Sequence, residues 1–210
     1  MQSQVKIKDV GSVQASKAHR ELALIPLGIA LNLALGVLVH TLKIPLYVDA
    51  VGTVAITLLA GMRAGIMVGV VSFALWGILN PVYFWFVGTQ AAIAIYTGLV
   101  ARGGAFRTWF RTVLAGVGLG VVAGVVSAPV IVALFGGITG SGASVVVAFL
   151  AASGKSILKS VVLSGLACEP IDKAIQCVLA VWLLRGLPQT LLRLFRRGSL
   201  ERNGFIRGEV

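Results

Sequence analysis

The sequence predicts an all-α integral membrane protein, a bundle of six transmembrane helices with both termini cytoplasmic. Three observations carry this. Only 12% of the 210 residues are charged, about half of what a soluble domain carries, and 58% are hydrophobic. Mean hydropathy is correspondingly high, at +0.97. Apolar runs long enough for a bilayer core of about 30 Å follow one another with short breaks. The net charge of +11 is unevenly placed, with Lys and Arg gathered at the chain ends and between the apolar runs, as the positive-inside rule places them. That placement argues against a nucleic-acid-binding face, and the hydrophobicity excludes disorder.

Residues 1–21, with Lys6, Lys8, Asp9, Lys17 and Arg20, read as a cytoplasmic tail. They lack the apolar segment and small-residue cleavage site of a signal peptide. The membrane domain is expected over 22–187. Its first span is the charge-free run Leu22 to Leu42, with His40, Lys43 and Pro45 at its exit. A short second span, Leu46 to Leu59, has Asp49 near its start and closes at Gly61-Met62-Arg63. From Ala64 to Ala101 there is again no charge, but Asn80-Pro81 divides the run into spans three and four. Asn is a good N-cap, and Pro is favoured at the first helical position.

Arg102, Arg107 and Arg111 form a basic loop before span five, expected from Thr112 to Phe135. Within it Gly116, Gly120, Gly124 and Ala128 recur every four residues, as do Gly65 and Gly69 in span three. Small residues at that spacing let helix backbones approach closely in lipid, so they are expected to pack the bundle. A long outer segment, 136–169, opens on glycines and carries Lys155 and Lys159 on one helical face. At about 2.5–3.5 kcal/mol per lysine at mid-membrane, it is expected to lie over or dip into the bundle rather than span it. Glu169-Pro170 then starts the last span, and 188–210 form a basic cytoplasmic tail. Six spans place fourteen of the 18 Lys and Arg on one side: four in the first tail, Arg63, three in the 102–111 loop and six from Arg185 onward. A seventh span would carry the arginine-rich C-terminal tail outside.

No catalytic residue, metal site or cofactor bound by this chain is expected. Histidine occurs only at His19 and His40, and Cys168 and Cys177 form no CxxC pair. Gly154-Lys155-Ser156 resembles the end of a phosphate-binding loop, but Phe149 stands where that motif needs glycine. What remains is an outer-end cluster of candidate substrate-binding residues: Tyr47, Asp49, Asn80, Tyr83, Trp85, Gln90, Lys155, Lys159, Glu169 and Asp172. Aromatic walls with a few placed polar groups are the usual form of a small-molecule site. Gln90 shares one helical face with Tyr83, Val87, Ala94 and Thr97, and intramembrane polar groups face protein or a cavity. Plainer roles stand beside these. Trp85 and Phe86 suit an interfacial belt, Glu169 and Asp172 suit a helix N-terminus, and Lys155 and Lys159 suit simple solvation. Lys173 does not suit a helix N-terminus, which points to a carboxylate partner or a ligand. The aromatics favour a flat ring such as a pyridine, pyrimidine, flavin or deazapurine, and the outer lysines favour a carboxylate or phosphate on it.

The run Ile44-Pro45-Leu46-Tyr47-Val48-Asp49-Ala50-Val51-Gly52-Thr53, the Gly61-to-Gly65 turn, the Asn80-Pro81 corner and Glu169-Pro170-Ile171-Asp172-Lys173-Ala174-Ile175 together resemble the substrate-binding S component of energy-coupling factor (ECF) transporters. The likeness spans about 22–188. It implies a six-helix protein of a bacterial or archaeal plasma membrane that captures a vitamin-like micronutrient from outside. It also implies delivery through a transmembrane T component and two ATPase subunits, with ATP used by those partners. Ala30-Leu31-Asn32-Leu33-Ala34 is similar to the small-residue pattern with which that family docks its T component, making Ala30, Asn32 and Ala34 candidate docking residues, with bonding inside the bundle as the other role for Asn32. A membrane sensor or structural module is the alternative from a different class. A secondary transporter is disfavoured, since no acidic residue is expected at mid-span to couple an ion.

Overall fold

The computed structural model describes residues 23–42, 46–136 and 143–188. Both tails, Lys43 to Pro45 and most of the glycine-rich loop fall outside this set. Every regular element among the described residues is helical: α1 (Ala23–Thr41), α2 (Val51–Ala60), α3 (Met62–Leu79), a 3₁₀ turn (Pro81–Phe86), α4 (Val87–Arg102), α5 (Trp109–Phe135), α6 (Ala143–Ala152) and α7 (Ile157–Arg185). Four stretches are long and apolar enough to cross a membrane: α1, α3, the 3₁₀ turn with α4, and α5. Apolar α2 is shorter, at ten residues.

Local chemistry sets the breaks. Gly61, at φ 103°, separates α2 from α3. Asn80 accepts from the Val82 N–H at 3.2 Å with Pro81 at the first position of the turn, as the sequence predicts. Thr108 accepts from the Arg111 N–H at 3.3 Å and starts α5 at Trp109, slightly earlier than expected. The chain therefore runs back and forth, and its ends differ in chemistry. Arg63, Arg102, Arg107, Arg111 and Arg185 all lie at or near helix termini of one end. There Arg185 donates to the Arg107 carbonyl at 2.9 Å and stacks 4.4 Å from the Trp109 ring centroid. Asn80, Trp85 and Lys155 mark the opposite end, where the Phe86 and Phe135 rings meet at 6.4 Å.

The broadest helix contact is between α5 and α7. The glycine stripe makes it possible: a methyl at Gly116 would strike the Ala174 backbone, one at Gly120 the Pro170 backbone, and Gly124 faces Gly165. Ala128 packs with Val147 of α6 and Val161 of α7. The stripe thus packs the bundle, as expected. Much of the remaining apolar surface, including Leu27, Ile78, Val125 and Trp182, faces outward, far more than a soluble monomer exposes.

One expectation is corrected. The last helix begins at Ile157, not at Glu169-Pro170, and is a continuous 29-residue α7 with Pro170 inside it. Pro removes one backbone donor from the helix ladder, and close packing against neighbours tolerates it in membrane helices. Here Gly120 gives Pro170 that close packing. Among the described residues of the 136–169 segment, α6 is a separate helix and 157–169 belong to α7. Glu169 and Asp172 consequently lie near the middle of a long helix and do not cap its N-terminus. The acidic residues whose absence spoke against an ion-coupled transporter are present at mid-helix.

Candidate functional site: a carboxylate cluster at half depth

The short α2 rises only about 15 Å, half of a bilayer core, so its N-terminus ends among its neighbours rather than at the rim. A helix start leaves four backbone N–H groups without intrahelical partners, and Ala50 at the N-cap has no side chain to serve them. Other helices supply the acceptors. Asn32 of α1 takes the Gly52 and Thr53 N–H groups on Oδ1, at 2.7 and 3.3 Å. Its Nδ2 donates to Thr53 Oγ1 and Ser72 Oγ, at 2.9 and 3.1 Å. Thr53 in turn donates to Gln90 Oε1 of α4 at 3.4 Å.

From the other side, α7 holds the segment leading into α2. Asp172 Oδ1 accepts from the Tyr47 and Val48 N–H groups at 3.0 and 3.2 Å. Gln176 Oε1 accepts from the Ala50 N–H at 2.8 Å. Val48 sits at φ 46°, a region that β-branched residues rarely adopt, so these bonds hold a strained backbone in place.

Around this hub lie three carboxylates and one ammonium. Lys173 Nζ donates to Asp172 Oδ2 at 2.8 Å and to Asp49 Oδ1 at 3.1 Å, and stands 3.7 Å from Glu169 Oε2. The Tyr47 ring centroid is 5.6 Å from the same nitrogen. Asp172 Oδ2 also accepts from Gln176 Nε2 at 2.7 Å, so four donors satisfy this carboxylate. Glu169 differs, since its Oε2 is buried without a hydrogen bond. The Thr89 and Thr97 hydroxyls of α4 are also buried without one. By axial rise, Lys173 lies about 18 Å from Arg185, within the bundle's depth.

The structure therefore divides the predicted outer-end cluster. Tyr47, Asp49, Glu169 and Asp172 come together at half depth, and Gln90 is tied to the adjoining Asn32 network. Tyr83 packs instead on Phe73 and Trp76, with ring centroids 5.9 and 5.4 Å apart. Asn80, Trp85, Lys155 and Lys159 are exposed near the far end, and among the described residues neither lysine has an ion-pair partner. On α1, Ala30 and Ala34 are exposed, whereas Asn32 is fully buried. Asn32 thus takes the second of its two expected roles, bonding inside the bundle, and is not on the exposed face.

Sequence reasoning passed over Gln176, Thr53 and Ser72, whereas Lys173, singled out as needing a carboxylate partner or a ligand, stands beside three carboxylates. The signal for Gln176 was its place one turn after Asp172 in an apolar run. Thr53 and Ser72 gave none, because small hydroxyls in membrane helices commonly bond their own backbone, as Ser72 also does to the Val68 carbonyl at 2.7 Å. Among the described residues no group of three or more His, Cys, Asp and Glu is arranged to hold a metal ion. Neither a protein-family model, nor a curated protein, nor a solved structure matches this chain.

Proposed function

We propose that this chain is the substrate-capture subunit of an ECF-type importer. It is a six-span plasma-membrane protein with both termini in the cytoplasm. In this reading it binds a vitamin-like solute from outside and passes it to a T component driven by two ATPase subunits, which consume the ATP. The observation that carries the reading is the polar hub at the α2 N-terminus. Charged groups within an apolar bundle are costly, and they mark solute or ion pathways. Here they sit where a strained, non-helical segment meets α7, beside the Tyr47 ring. The exposed Ala30 and Ala34 leave α1 a flat face for a helical partner.

The test is purification from the native host under mild conditions, followed by native mass spectrometry and identification of associated subunits. The expected result is a bound small molecule, together with a T component and two ATPases. A protein that carries no solute and associates with none of these would overturn the reading. A structural or sensory module without transport activity is the second reading. The complete internal bonding of Asn32 and Asp172 favours it, because a purely structural hub needs nothing more. That module would purify without ligand.

A further inference from the structure

The cluster's charge does not balance. Three carboxylates, Asp49, Glu169 and Asp172, surround one ammonium, Lys173, leaving two formal negative charges in excess. The excess can be located. Asp172 is saturated by four donors, and Lys173 is its immediate counter-ion. Among the described residues Asp49 has one side-chain hydrogen bond, to Lys173, and its side chain keeps 20% of its exposure. Glu169, only 8% exposed, has an Oε2 with no hydrogen bond, and 3.7 Å to Lys173 is too long for one. Uncompensated carboxylate charge away from water is among the most expensive arrangements a protein can hold. Lys173 Nζ already stands between Asp49 and Glu169. The natural complement of the excess is therefore a second positive group against the unbonded Glu169 Oε2 and Asp49, beside Lys173. It is reached from the more open Asp49 side, near the Tyr47 ring, whose face also attracts cations.

Resting on the capture reading, we propose that the solute carries a cationic nitrogen, a protonated amine or a comparable organic cation, which binds against Glu169 and Asp49 beside Lys173. This reverses the sign that the outer lysines suggest. Lys155 and Lys159 are exposed near the far end and, among the described residues, have no ion-pair partner. A metal ion fits less well, since one of the three carboxylates is already saturated and the described residues form no metal-holding group.

The test has two arms. First, the solute that co-purifies with the full chain is identified. A molecule with a cationic nitrogen at neutral pH is expected, and an anionic or neutral one would overturn this proposal while leaving the capture reading intact. Second, thermal unfolding of the detergent-solubilised protein is followed with benzylammonium, benzyl alcohol and benzoate, probes that share a ring and differ in charge. Benzylammonium alone should raise the midpoint, with binding about tenfold or more weaker in Glu169→Gln. Without ligand, Glu169→Gln should itself melt higher than the parent, because it removes buried excess charge, and this secures a folded comparison. Stabilisation by benzoate, or equal benzylammonium response in parent and variant, would overturn the cation site. If no solute co-purifies and no probe shifts the parent, the cation site falls, and the capture reading falls with it when the T component and ATPases are absent as well.

Discussion

Asn32 shows how one side chain does the work of a helix cap from another helix. Its carbonyl takes two N–H groups of the first turn of α2 and its amide holds Thr53 and Ser72. Asn32→Leu keeps the branching at Cγ and leaves those donors bare, at about 1–3 kcal/mol for each. A clear drop in the unfolding midpoint is expected, and a midpoint within error of the parent would mean α2 finds other acceptors. Lys173 is the second such residue. Lys173→Met leaves three carboxylates without their ammonium, and breaking a buried pair costs about 3–5 kcal/mol. The double variant with Glu169→Gln should recover part of that loss, because one of the stranded charges is gone. No recovery in a thermal double-mutant cycle would show that Glu169 and Lys173 are not coupled.

At the level of elements, α5 and α7 depend on glycines that allow backbone contact. Gly120→Val should force α5 away from Pro170 and yield aggregated or poorly folded protein on size-exclusion chromatography. Gly88→Ala in α4 has open space around it and should leave the profile unchanged. A normal Gly120→Val profile would show that the contact is dispensable. The same elements show what a sequence does and does not reveal. The Asn80-Pro81 corner and the four-residue glycine stripe were legible because capping and spacing are local properties. The start of α7 was not. Glu169-Pro170 obeys local rules for a helix start, and what holds Pro170 inside α7 includes a tertiary contact, its close packing on Gly120 about fifty positions away in the chain. Asn32, Asp172 and Gln176 were visible as polar residues in apolar runs, but their partners are backbone N–H groups of another segment, which no side-chain pattern announces. The candidate site was therefore legible in its members and not in its depth.

For the whole molecule, the sorting of charge by end is the organising fact, with the described arginines clustered at one end and the acidic hub inside. In the proposed assembly the bundle meets its partner in the membrane plane, where association depends on packing rather than on the hydrophobic effect. Along α1, Leu27, Ala30, Ala34, Val37 and Leu38 are all exposed and recur at helical spacing, with the two alanines at the centre of the stripe. The buried Asn32 points the other way, so a change on this stripe does not reach the hub. Replacing Ala30 and Ala34 together by Trp raises two bulky ridges where a partner helix would lie. Midpoint and retained solute should stay at parent values, while recovery of the T component and ATPases, and ATP-dependent uptake, should fall to background. If uptake instead persists with the chain alone in liposomes and follows an imposed ion gradient, the mid-helix carboxylates are coupling an ion. The transport cycle would then belong to this chain rather than to its partners.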